Sequence, residues 1–242
     1  LNFWNVGYEF TQDSNVDDVD YITQLASYLQ TTKNLSVENT FLTGMSNGAE
    51  LCYLIACEYP GLFKAYAPVA GTIFPNGLTN NSCSGLPVSI FELHGTNDNV
   101  TLFEGDSNDQ FWGPYLGIDS IINYWTDLNE LEYLNIDTLP NFNNNNKFVI
   151  SYKYFSKQND KKVWLYKHKS GHSWDIDDIV VAEEIWGFFS QFLSNNNSSI
   201  TFINNKKFLL KKIDLLGREA INKGFQLFIY DDGSVERKYV LE

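Results

Sequence analysis

Apolar positions along the chain recur with two periods. Across 17–30, Val19, Ile22, Leu25, Ala26 and Leu29 follow the spacing of an amphipathic helix, and Asn15, Asp17 and Asp18 stand where capping groups and N-terminal charge belong. "NTFLTG" (39–44) is a short apolar run ending in glycine, the mark of a buried parallel strand. Residues 47–59 then read as a helix stopped by Pro60 and Gly61. "AYAPVAG" (65–71) and "VSIFELHG" (88–95) are two further strand-and-turn units, and 118–133 is helical by period. "KVWLYKHKSGH" (162–172) is a strand entering a loop. Residues 179–193 form a closing helix with Ile179, Ala182, Ile185, Trp186, Phe189 and Leu193 on one face. Strands that alternate with helices predict an α/β fold with a mainly parallel sheet. "NFNNNN" (141–146) reads as a solvated loop and "SNNNSS" (194–199) as a polar linker. The short apolar runs beyond it, separated by "LLGRE", "NKG" and "DDGS", predict β-hairpins.

Charge sharpens that division. Residues 1–194 carry 24 acidic and 9 basic side chains and no arginine, whereas 195–242 carry 6 acidic and 8 basic ones. The predicted units are therefore a body over 1–193, the linker, and a tail domain over 200–242. So acidic a body repels phosphate backbones, which excludes nucleic acid as a partner. With 43% apolar residues the chain can bury a core, yet no apolar run reaches the roughly 20 residues of a bilayer span. Cys52, Cys57 and Cys83 are too few for a disulfide framework and lack metal-ligand spacing. Cys52 and Cys57 point in different directions on one helix. Cys57 with Cys83 is a possible pair in an exported protein, with buried thiols the alternative.

Between the 39–44 strand and the 47–59 helix lies Gly44-Met45-Ser46-Asn47-Gly48. As a bare G-x-S-x-G it is a weak signal; strand, elbow and helix in that order make it a stronger one. A strained serine between small residues projects its hydroxyl above a sheet edge. The helix N-terminus beneath aims backbone N–H groups at developing negative charge, Asn47 supplying one for an oxyanion. A serine nucleophile needs a base and an acid. Three histidines are available: His94, His168 and His172. Asp98 follows the 88–94 strand on a Gly-Thr-Asn turn, and His172 follows the 163–168 strand on a Ser-Gly turn. The chain order Ser46, Asp98, His172 is the order this architecture demands. His168 reads as strand-borne, and His94 as a hydrogen-bonding partner of the turn that shapes the Asp98 loop. Asp17, Asp18 and Asp20 read as helix caps rather than metal ligands. Trp174, Phe111 and Trp112 are candidates for lining an acyl or aryl pocket, with core or lid packing the alternative.

The blocks "GMSNGAELCYLIACEYPGLFKAYAPVAG", "ELHGTNDNV" and "SGHSWD" together resemble the polyhydroxybutyrate depolymerase and feruloyl esterase group of secreted α/β-hydrolases, over residues 4 to about 193. The resemblance implies Ser46 as nucleophile, His172 as general base and Asp98 as its orienter. It also matches Trp174, although Asp175 stands where that group has proline. Such hydrolases carry an earlier strand and a His-Gly-type oxyanion loop, and this sequence opens past that point. The expectation is an N-terminally truncated body that, expressed alone, is inactive and poorly soluble, since one lost oxyanion donor costs about 10²–10³ in turnover. The segment "KKIDLLGREAINKGFQLFIYDDGSVERKYVLE" resembles the C-terminal sorting domain of the type IX (Por) secretion system, which implies export and the secretion machinery as a partner.

These readings predict a secreted serine esterase acting on an ester, polymeric by expectation: feruloyl or acetyl groups on polysaccharide, or a polyhydroxyalkanoate. Its rivals are a non-catalytic surface-binding relative and a peptidase on the same fold. None of the three calls for a metal or organic cofactor.

Overall fold

The computed structural model describes residues 3–11, 14–74, 83–139, 147–176, 179–194, 209–214, 218, 224–230 and 235–240. The chain divides into two compact units, Leu1–Ser194 and Asn195–Glu242. The predicted loop over 141–146, the linker positions 195–199 and the "DDGS" turn lie outside the described residues.

In the first unit the element order is α1 (Asp18–Lys33), β1 (Leu42–Met45), α2 (Asn47–Glu58), β2 (Tyr66–Val69), β3 (Ile90–Gly95), the two-residue strands β4 (Gly105–Asp106) and β5 (Tyr115–Leu116), α3 (Ile118–Leu128), β6 (Tyr133–Thr138), β7 (Val149–Phe155), β8 (Lys162–His168) and α4 (Val181–Phe189). One sheet runs β1-β2-β3-β8-β7-β6. Its first four strands are parallel, with Leu42 opposite Tyr66, Tyr66 opposite Ile90 and Ile90 opposite Val163. β7 and β6 extend it as an antiparallel hairpin. Alternate strand residues feed two cores. Tyr66, Ile90, Val163 and Leu165 pack with α2 and α3 on one face. Ala67, Val69, Phe91, Leu93 and Tyr166 pack with α4 on the other. Burial on both faces is why these central strands are nearly all apolar.

Several boundaries differ from the sequence reading, each for a local reason. The buried face of α1 is Val19 and Gln30 with half-buried Ile22 and Ala26, so Leu25 and Leu29 stand on an exposed shoulder. Asn34 in the left-handed region closes that helix. The helix expected over 118–133 stops at Leu128. Asn129 caps it and Glu130 takes a positive φ of 53°, after which Tyr133 begins a strand. The closing helix is turned from its expected face: Val181, Ile185, Phe188 and Phe189 are buried, while Ala182 and Trp186 face outward. Phe188 drives that rotation, packing its ring at a tilt against Phe91 and Trp164 with centroids 5.4 and 5.1 Å away.

Cys57 at the end of α2 is disulfide-bonded to Cys83, and Cys52 is a buried free thiol. In the second unit β9 (Leu209–Asp214), β10 (Gly224–Tyr230) and β11 (Val235–Val240) form an antiparallel sheet in the order β11-β10-β9.

Candidate active site

Parallel strands share one C-terminal edge, and loops leaving that edge meet there. Ser46 follows β1, Asp98 lies on the loop after β3, and His172 lies on the loop after β8. β3 and β8 are direct neighbours, and one strand separates β1 from β3.

Ser46 takes φ 54°, ψ −122°, which is strained for a residue with a side chain. Three hydrogen bonds hold it: its N–H donates to Val69 O at 2.8 Å, and its carbonyl accepts from the N–H groups of Ala49 and Glu50. Its side chain makes no capping bond to α2 and so is not consumed by the helix it begins. The flanking glycine is sterically required, because a Cβ on Gly44 would lie 2.5 Å from Gly48 O. Asn47 opens α2, where its backbone N–H has no intrahelical acceptor.

The Asp98 and His172 loops are stitched together. Gly95 leaves no room for a side chain, since a Cβ there would meet the backbone oxygens of Ser170 and Gly171. Thr96 N–H donates to His168 O at 2.7 Å, and Asn97 Nδ2 donates to Lys169 O at 2.8 Å. Asp98 Oδ1 accepts the N–H groups of Val100 and Thr101, at 2.8 and 3.0 Å. Its Oδ2 lies 2.8 Å from His172 Nδ1. Burial alone would raise the Asp98 pKa. The His172 hydrogen bond, the Val100 N–H and the two histidine charges outweigh it, so the carboxyl stays below its ordinary range.

Behind Asp98 lies a second layer. His94 is fully buried, with Nδ1 2.9 Å from Glu92 Oε1 and Nε2 2.9 Å from the Thr101 carbonyl. That nitrogen also stands 3.4 Å from Asp98 Oδ2. A carbonyl can only accept, so Nε2 carries a proton. Burial opposes a charged imidazole, but Glu92, the Thr101 carbonyl and Asp98 raise the His94 pKa above its usual value. Glu92 also accepts from Tyr53 Oη at 2.9 Å. His94 thus shapes the turn as expected, while Glu92, a charge inside an apolar strand, went unremarked in the sequence reading. His168 ends β8 as predicted, yet neither ring nitrogen has a hydrogen-bond partner among the described residues. Burial, aided by the His94 charge and resisted by Asp98, pushes it down to about 4.

A cavity of about 110 Å³ opens beside Ser46, with Asn47, Glu50, Thr101, Trp112 and Tyr115 in its wall. Tyr8, Phe10 and Phe74 add aromatic surface. Of the predicted pocket residues, Trp112 lines this cavity. Phe111 is exposed, its ring tilted against Phe10 and edge-to-face with Trp112. Trp174 packs against the α4-side core instead. Glu50 and Tyr8 were missed by sequence reasoning, although one acid four residues after Ser46 in an apolar helix was a usable signal. Tyr8 Oη donates to Glu50 Oε2, and Asn47 Nδ2 donates to Tyr8 Oη at 2.9 Å and to Trp4 O at 3.0 Å. Burial pushes Glu50 up to about 7 against those hydrogen bonds and the charge of His172. Among the described residues, no group of three or more His, Cys, Asp or Glu side chains is arranged so that it could hold a metal ion.

Strand, strained serine, helix, and acid and histidine loops from later parallel strands define an α/β-hydrolase architecture. No protein-family model matches the chain. It is 29% identical over 185 residues to a bifunctional acetylxylan esterase/xylanase of Neocallimastix patriciarum, a match covering 72% of this chain but only 23% of that protein. Two similar solved structures are an acetyl xylan esterase from Aspergillus awamori and a carboxylesterase of Bacillus cereus. The first has 13% identity and a TM-score of 0.48, covering 72% of this chain and 67% of the other. The second has 11% identity and a TM-score of 0.41, covering 72% and 60%.

Proposed function

We propose that the protein is a serine carboxylic ester hydrolase that works through Ser46, His172 and Asp98. The observation that carries this reading is the 2.8 Å contact between Asp98 Oδ2 and His172 Nδ1, made at the sheet edge where Ser46 stands at a positive φ. Asp98 holds the imidazole with Nδ1 protonated, leaving Nε2 as the base. Ser46 Oγ bonds to the ester carbonyl carbon as its proton passes to His172. The oxyanion takes the Asn47 N–H, and the alcohol leaves carrying the proton back from His172. Water then repeats the sequence and releases the acid.

The aromatic surface around the cavity and the acetylxylan esterase relative favour an ester carried on a polymer. Acetyl or feruloyl groups on polysaccharide and polyhydroxyalkanoates remain the substrate classes proposed. The Cys57–Cys83 bond supports an oxidising, extracellular setting. The resemblance of the tail to a type IX sorting domain supports export by that route.

The test is fluorophosphonate labelling together with p-nitrophenyl acetate hydrolysis by the full-length protein. Ser46→Ala is expected to abolish the label and to lower turnover by on the order of 10⁴ or more. Absence of both label and turnover in the parent protein returns the binding-module reading, and casein clearing without esterolysis returns the peptidase.

A further inference from the structure

Half of the described residues that wall the cavity beside Ser46 are aromatic, and none of them is a lysine or arginine. Glu50 is the carboxyl in that wall and is only 7% exposed. Its two oxygens are not equivalent. Asn47 Nδ2 donates to Tyr8 Oη, so the Tyr8 hydroxyl proton is directed onward to Glu50 Oε2. Oε2 is therefore held as an acceptor, and any proton on the carboxyl belongs on Oε1. Oε1 makes no hydrogen bond to a described side chain or backbone group, and it is not among the fully buried polar atoms that lack a partner, so it is the accessible oxygen of the pair. A bare carboxylate oxygen in a ring-walled cavity attracts a hydrogen-bond donor and repels a second carboxylate.

We propose that Glu50 is a specificity-determining residue that selects neutral, hydroxyl-bearing substrates. Its Oε1 accepts a hydrogen bond from a substrate hydroxyl, turns away carboxylate-bearing esters while ionised, and admits them once protonated. This rests on the esterase reading above. Sugar hydroxyls and hydroxyacyl groups both supply the donor, and a free carboxylate on the substrate is what the cavity rejects.

The groups that face Glu50 are few. Tyr8 comes from the N-terminal segment, Asn47 from the same helix, and His172, itself paired with Asp98, from the loop after β8. The Tyr8 phenol is raised far above neutrality by burial and by Glu50, so it does not titrate in the working range. With Glu50 pushed up to about 7, its charge changes where the enzyme would operate.

The experiment compares two esters of one alcohol, one ending in a carboxylate and its twin in a primary amide, hydrolysed by the full-length protein from about pH 6 to about pH 8. Any pH effect on the shared chemical step acts on both substrates alike and cancels in the ratio of their kcat/KM values. For the parent protein, the carboxylate-to-amide ratio is expected to fall by up to roughly tenfold across that range, the change in the protonated fraction of a group that titrates at about 7. In Glu50→Gln the ratio should become independent of pH. In Tyr8→Phe, which removes a hydrogen bond that favours the ionised carboxyl, the midpoint should move to higher pH. A flat ratio in an active parent protein overturns the role of Glu50 and leaves the esterase intact. No turnover of either ester removes both.

Discussion

The ends of β3 and β8 lie side by side in the sheet, and each carries a fully buried histidine, yet the two are treated oppositely. His94 on β3 has both nitrogens bonded, one by the Glu92 carboxylate, and its pKa rises. His168 on β8, opposite Gly95, has no described partner for either ring nitrogen and is pushed down to about 4. Equal burial gives opposite charge tendencies because partners, not burial, decide which form survives. The consequence for chemistry is an asymmetric floor. Asp98 rests on a proton-rich imidazole supplied by its own strand, while the neighbouring strand contributes a neutral ring that does not compete for the carboxylate.

The sharpest way to break this contrast is at Asp98, which His172 and His94 share. Asp98→Asn is expected to lower kcat by about 10⁴ with little change in KM, because the amide cannot hold the productive His172 tautomer. His168→Phe should leave turnover within a fewfold; a comparable loss there would mean the two strand ends had been assigned the wrong roles.

The next effect is on stability. Glu92→Leu leaves His94 buried without its carboxylate and should cost about 3–5 kcal/mol by denaturant unfolding. The double variant with His94→Leu should recover much of that loss, since the uncompensated charge is then gone. Full additivity of the two single variants would show that the pair does not act as a unit.

Acid dependence separates the two histidines further. The folded His168 pKa of about 4 lies below its ordinary 6.5, so the unfolded chain binds the extra proton between those values. Stability from this site is present above pH 6.5 and is lost as pH falls toward 4, by about 3 kcal/mol in all. Glu50 acts with the opposite sign. Its pKa is raised from 4.5 to about 7, so its contribution is present below 4.5 and is lost, by a similar few kcal/mol, as pH rises through 7. The two windows overlap and the two contributions oppose each other. Relative to the parent protein, melting temperature is therefore expected to rise more with pH in Glu50→Gln and to fall more with pH in His168→Phe.

The smallest effect probes the stitch between the two strand ends. Thr96→Val removes the 3.2 Å hydrogen bond from Thr96 Oγ1 to His168 O and should cost about 1 kcal/mol. The backbone bond between the same residues is untouched, so a larger loss would point to a loop that depends on the hydroxyl for its shape.

The parts of this architecture that could be read in the sequence are those whose chemistry is local. Gly44 to Gly48, the "HGTND" turn and the "SGHSW" turn each announce a backbone requirement within five residues, and parallel strand ends then bring them to one edge. The antiparallel hairpin of β6 and β7 was not legible. Leu131 and Tyr133 prolong the helical period of α3, and only the positive φ at Glu130 ends it, on a residue type that gives no warning. β6 is exposed along its whole length, so burial leaves no alternating pattern to recognise. The pairing of Tyr8 with Glu50 spans 42 residues and is a product of packing alone. The face of α4 was misjudged for a related reason: Phe188 finds its pocket between rings of β3 and β8, far away in the chain.

Asn47 divides its labour between main chain and side chain. Its amide sits at the start of α2, while its carboxamide clasps Trp4 from both sides, accepting from the Trp4 N–H at 2.5 Å and donating to the Trp4 carbonyl. Through that clasp the elbow anchors the N-terminal stretch whose Tyr8 and Phe10 wall the cavity. Trimming Asn47 to alanine would unfasten this wall and keep the amide where it is. Such a change offers engineers a way to widen the cavity without touching the Ser46 hydroxyl.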